Sequence, residues 1–171
     1  MKGARPMRIW FIRLLALTST MAVLVALPPG AAASGQASLA DVRSATASFH
    51  DVGAAERAGY GRLLPCFDRP GVGGMGQHYV NTHLFDAQVS VSQPEALVYE
   101  VDGDRLQLVA VEYIIPFTSV SSEATPPTLL GQSFIKNTTL GLWTLHAWIW
   151  RPNPLGMFVS YNPSVKLCPG S

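Results

Sequence analysis

The chain is short of charge and of cysteine, and it carries none of the strings that announce common enzymes. Charged residues make up 13% of its 171 positions. They form no Lys/Arg stripe of the kind that tracks a phosphate backbone, which argues against a nucleic-acid partner. No GxSxG, SxxK or HExxH string occurs, so the usual grounds for a nucleophilic serine or a helix-borne zinc site are missing. Five serines fall in the loop-like stretches 89–92 and 119–122. The glycine-rich run 71–76 precedes a strand pattern instead of opening a helix, so its amides and a helix dipole do not converge on a phosphate. The two cysteines, Cys66 and Cys168, lack the CxxC spacing of a redox or zinc motif and read as one disulfide. A bridge closing a loop of about 100 residues contributes about 4.7 kcal/mol in the loop-entropy model.

What is present begins with a leader. Lys2, Arg5, Arg8 and Arg13 form a basic front, residues 14–27 are apolar except for Thr18, Ser19 and Thr20, and Ala31-Ala32-Ala33-Ser34 offers small residues for cleavage. The apolar run falls short of the roughly 20 residues that span a bilayer. It predicts a secretory signal peptide over 1–34 and a single domain over 35–171, secreted or periplasmic, without stable membrane insertion after cleavage. The leader removes four of the twelve basic residues, leaving eight against eleven acids, a net charge of −3 with histidine neutral. A domain of that size supports one core.

Residues 38–60 have helical punctuation. Ser38 is a candidate cap, Leu39, Val42 and Phe49 recur at helical spacing, Asp51 caps a second helix over 52–58, and Gly59 and Gly61 mark the stop. Residues 61–76, with Pro65, Pro70 and repeated glycines, read as a loop in which glycine permits positive φ or close backbone approach. Strand patterns follow over 78–80, 96–101 and 106–115, with Asp102-Gly103 as a two-residue hairpin loop and Pro116 as the stop. Residues 118–128 read as an exposed loop, 129–135 as a short helix after Pro126-Pro127, and 143–150 and 157–161 as the last strands. Helices first and hairpin-linked strands afterwards predict an α+β domain: N-terminal helices packed on a curved antiparallel β-sheet, open or rolled into a half-barrel.

Two runs stand out, Gly74-Met75-Gly76-Gln77-His78-Tyr79-Val80-Asn81 and Leu145-His146-Ala147-Trp148-Ile149-Trp150, the second continued by Asn153-Pro154, Gly156 and Phe158. Together with Leu97-Val98-Tyr99-Glu100 and Val111-Glu112-Tyr113 they resemble an uncharacterised family of small secreted, mostly bacterial proteins with GMGxHYxN and LHxWxWxxNPxGxF motifs. The resemblance spans nearly all of the expected mature chain and implies secretion, but it brings no activity or ligand. A likeness to cupins fails at the HxH step, since Tyr79 and Val80 follow His78.

Strand alternation singles out one acid. With Asp102-Gly103 as the loop, Glu100 faces Arg105 in a surface ion pair, and Leu97, Tyr99 and Val101 share a face with Leu106, Leu108, Ala110, Glu112 and Ile114. Glu112 is then the odd member of an apolar face, and a bulged three-residue loop would bring Glu100 beside it. A buried acid needs a partner, and His78 and His146 are the nearest by pattern. Two imidazoles and a carboxylate from separate strands suit a divalent transition metal with open positions. Tyr79, Tyr99 and Trp148 are candidate ligand-binding residues of an aromatic pocket between helix and sheet, closed by the 61–76 loop. His50 reads as a residue near a helix end, and His83 points away from His78 on a continuous strand. These residues suit a secreted protein that binds a small molecule or metal ion. The competing readings are a metal-dependent enzyme, with His78, Glu112 and His146 as ligands and Tyr79 or Glu100 near substrate, and a structural protein of the cell envelope with the same residues as a core network.

Overall fold

The computed structural model describes Gly3 and residues 31–170, with side chains from Ser38 onward, so most of the expected leader lies outside the described residues. Helix α1 (Ala31–Thr46) leads through a 3₁₀ turn (Ala47–His50) into α2 (Val52–Arg57). The Asp51 carboxylate accepts the Gly53 amide at 2.9 Å, the N-cap expected of it. Ser38 lies inside α1 and does not cap its start. The strands are β1 (Gly61–Arg62), β2 (Phe67–Arg69), β3 (Gly73–Val80), β4 (Ala96–Asp102), β5 (Arg105–Pro116), β6 (Thr128–Leu129), β7 (Gln132–Ser133), β8 (Ile135–Asn137) and β9 (Leu142–Ala147). Seven of them form one antiparallel sheet in the order β1-β3-β4-β5-β9-β8, with β2 also paired to β3. The domain is α+β, and its sheet is open with free edges; it is neither curled nor rolled into a half-barrel.

One face of the sheet carries Leu97, Tyr99, Val111, Tyr113, Leu145 and Ala147, packed with Val42 and Ala55 from the helices. Polar contacts fix the helices there: the Tyr99 hydroxyl donates to the Phe49 carbonyl at 2.6 Å, and Trp150 Nε1 donates to Thr46 Oγ1 at 3.2 Å. The other face carries two smaller apolar clusters, one around Val98, Ala110 and Trp148 and one around Val80, Ala96 and Ile114. An irregular C-terminal segment covers part of it, its Asn162 bridging Gly74.

The sequence reading differs from this fold at several places, among them the strand expected over 143–150, which ends at Ala147. The β4–β5 hairpin turns at Gly103-Asp104, because Asp102 pairs with Arg105, one residue later than Asp102-Gly103 predicts. The expected loop 61–76 contains β1, β2 and the start of β3. Residues 129–135 are not helical: β6 and β7 form a two-residue hairpin at Leu130 (φ +53°) and Gly131 (φ +71°), the left-handed pair that such a turn demands. Residues 157–161 form no strand, since Pro154, Gly156 and Pro163 interrupt any ladder there.

Cys66 and Cys168 are bonded, with Cα atoms 5.8 Å apart, and tie the C-terminal segment to the stretch before β2. Backbone approach explains the glycines of β3. A Cβ on Gly74 would lie 2.2 Å from the Lys166 carbonyl oxygen, and one on Gly76 (φ +112°) would lie 2.6 Å from that of Tyr99. Gly103 (φ +60°) has no atom within 4 Å of such a Cβ. Replacing Gly76 by Ala therefore combines backbone strain with a backbone clash and is expected to cost about 3 kcal/mol or more, whereas Gly103→Ala is expected to cost about 1 kcal/mol. Urea unfolding of the two variants measures the difference; equal costs would contradict the close-approach account.

Candidate functional site

The site is assembled by register. Glu112 on β5 stands opposite His146 on β9 and, on its other side, opposite Ala96 on β4. His78 on β3 stands opposite Val98, one alternation along from Ala96. Between them Ala96 offers only a methyl group, which leaves the longer side chains of His78 and Glu112 room to meet over β4. The expectation that Glu112 shares a face with Leu97 and Tyr99 is corrected by a bulge. Val98 pairs with Ala110 but Tyr99 pairs with Leu108, so Val109 is left over and strand parity changes beyond it. Glu112 consequently leaves the aromatic core and joins the face of His78 and His146.

His78 Nε2 lies 3.2 Å from Glu112 Oε2, and His146 Nδ1 lies 3.2 Å from Glu112 Oε1. The two rings are edge-on, 5.7 Å between centroids. All three residues are buried, at 3%, 6% and 3% exposure. One candidate ligand atom from each lies within 4.8 Å of the others. His78 Nδ1 and His146 Nε2, the nitrogens facing away from the acid, have no hydrogen-bond partner. Burial raises the Glu112 pKa, but the charge of His146 and hydrogen bonds from His78 and Thr144 outweigh it and hold the acid below its ordinary range. Burial pushes His146 down, against the pull of Glu112 and with the repulsion of His78.

The triad opens on a cavity of about 450 Å³, whose walls include Phe67, Arg69, Met75, Lys136, Ser160 and Tyr161. Trp148 is close by, stacked on His146 with ring centroids 6.1 Å apart. Tyr79 and Tyr99 are not brought to this cavity. They pack on each other at 5.1 Å in the core of the helix-bearing face, so the cavity and the aromatic cluster lie on opposite faces of the sheet. The stretch around Leu64 and Phe67 does wall the cavity.

Glu100 is also corrected. It is buried, at 4% exposure, and pairs with Arg151 at 3.1 Å and with the Lys166 amide at 2.9 Å, while Arg105 pairs with Asp102. His50 ends the 3₁₀ turn with its ring edge-on to Trp150, and His83 sits in a short 3₁₀ turn capped by Asn81. Arg69 and Tyr161 escaped the sequence reading because only the closing of the C-terminal segment over β2 and β3 brings them to the cavity.

No protein-family model matches the chain, and no curated protein or solved structure matches it significantly. Among the described residues no helix is long and apolar enough to cross a membrane.

A second buried acid, Glu95, meets a different fate. It accepts the Ile114 amide at 3.0 Å, yet burial, helped by repulsion from Asp86 and Glu112, pushes its pKa up to about 7. The folded state holds this proton more tightly than the unfolded chain. The resulting stabilisation is complete below about pH 4.5 and is lost as the pH rises through about 7, a change of roughly 3 kcal/mol. Glu95→Gln keeps an acceptor for Ile114 and removes the charge, so it is expected to flatten the pH dependence and to be the more stable protein at pH 8. Urea unfolding at pH 5 and pH 8 tests this; an unchanged slope with pH would refute it.

Proposed function

We propose that this protein is an extracytoplasmic binding protein holding a divalent transition metal at His78, Glu112 and His146, open to a small molecule in the adjoining cavity. The observation that supports this most is the buried donor set: two imidazoles, carried by β3 and β9, each present a nitrogen to one oxygen of the buried Glu112 carboxylate.

The spacing also admits an ion. Two donors bound at about 2.1 Å to one metal stand about 3.0 Å apart at a right angle and about 3.4 Å apart in a tetrahedron. The two N···O contacts, both 3.2 Å, fall between these values. Bringing the full set, within 4.8 Å, to the tetrahedral spacing needs an inward shift of at most about 0.7 Å from each ring. Two histidines and one carboxylate leave coordination positions free, which suits Zn²⁺, Fe²⁺, Mn²⁺ or Cu²⁺. The cavity beside them favours a second reading, a metal-dependent enzyme with substrate entering the open positions. The Cys66–Cys168 bridge is compatible with a location outside the cytoplasm.

Protein purified without an affinity tag and dialysed against each metal is expected to retain one ion per chain by elemental analysis. His146→Ala and Glu112→Gln are each expected to weaken binding by about 100-fold. A wild-type chain that takes up no ion, together with a large loss of stability in His146→Ala, would instead make the triad a structural network.

A further inference from the structure

The walls of the cavity are unbalanced in charge. Glu112 is the sole acid among its lining residues, and it faces two imidazoles. Of the two cations there, Lys136 is already paired with Glu123 at 3.0 Å. Arg69 is different. Its guanidinium lies 4.8 Å from the centre of the Tyr161 ring, and among the described residues no carboxylate is within ion-pairing distance of it. Arg69 is solvent-exposed, yet its contact with the aromatic face orients the guanidinium, whose fork matches a carboxylate.

Resting on the metal reading above, we propose that the cavity takes an elongated dicarboxylate, one end meeting the bound ion and the other held by Arg69. With a dication on the triad, both ends of the cavity are positive, so a cationic molecule is repelled and a neutral one leaves Arg69 unused. Arg69 stands opposite Gly73, five residues from His78 along β3. That is roughly 16 Å of strand, so even with the reach of both side chains, a molecule touching both must be extended. Leu64, Phe67 and Met75 supply an apolar wall for the body between its ends. The cavity, at about 450 Å³, lies in the lower part of the range for small-molecule pockets.

The experiment uses the purified protein loaded with Co²⁺, whose visible absorption reports on coordination. Cobalt uptake is measured first, by equilibrium dialysis, for wild type, Arg69→Met and Arg69→Lys. Adipate, hexanoate and the matching six-carbon diamine are then titrated against the cobalt bands. All three proteins are expected to take up cobalt equally. Adipate is expected to shift the bands of wild type, with Kd rising about tenfold or more in Arg69→Met and less in Arg69→Lys. Hexanoate is expected to bind more weakly and with no dependence on residue 69, and the diamine is expected not to bind. Equal adipate affinity in wild type and Arg69→Met, or a diamine that binds as well as adipate, would overturn the dicarboxylate assignment while leaving the metal site standing. Failure of wild type to take up cobalt would overturn both.

Discussion

One surplus residue in β5 decides where Glu112 points. Without the bulge at Val109, alternation from the hairpin would turn this acid into the face of Leu97, Tyr99 and Leu108, against the helices, where an unpaired carboxylate costs several kcal/mol. With it, the acid emerges between two imidazoles. The bulge is itself held in place. The Val109 carbonyl accepts the amides of both Trp150 and Arg151 at 3.2 and 3.1 Å, so the chain leaving β9 uses the oxygen that the β4 ladder leaves spare. The segment after His146 therefore fixes the strand that carries Glu112, and the two halves of the site depend on each other.

The C-terminal segment completes the enclosure. Glu100 lies at its centre, accepting from Arg151 and from the Lys166 amide, while Arg151 also donates to the Ser164 carbonyl at 2.7 Å. Asn162 and Val165 then meet Gly74 through backbone hydrogen bonds of 2.9 and 3.2 Å. Any side chain at Gly73 or Gly74 would occupy the space of that backbone. The glycine run is thus explained by a neighbouring chain segment, in keeping with a run that opens no helix and cradles no phosphate. The disulfide anchors the end of the same segment, which supplies Ser160 and Tyr161 to the cavity wall.

How far the sequence was legible follows from the range of each interaction. The long strands β4 and β5 and the Asp51 cap were readable because alternation and capping are local. The cysteine pairing was readable because only two cysteines exist. His78, Glu112 and His146 were found by asking which polar residues interrupt apolar strands, and the structure does bring them together. The face assigned to Glu112 was nevertheless wrong, since nothing in Leu108-Val109-Ala110 marks a bulge; its cause lies some 40 residues away, at Trp150 and Arg151. The one-residue shift of the hairpin was hidden for a related reason, because Asp102-Gly103 and Gly103-Asp104 are both acceptable turn pairs. The side of the sheet that carries the cavity could not be read either, because an irregular segment builds its wall.

Glu95 and Glu112 show how little the residue type decides. Both are buried acids, Glu112 on β5 opposite Ala96 and Glu95 next to Ala96, just before β4 begins. Burial raises both, and the difference lies in what answers it. Glu112 has two imidazoles and the Thr144 hydroxyl, so its charged form prevails in a dry setting. Glu95 has hydrogen bonds from backbone amides but no cation, and the neighbouring acids Asp86 and Glu112 add repulsion, so its proton is held to about pH 7. Glu112 is therefore a buried acid whose charge is answered by the side chains beside it. Glu95 lacks such partners and instead favours its proton. Neighbouring positions therefore hold one acid that favours its charge and another that favours its proton, separated by the partners that the fold gives each.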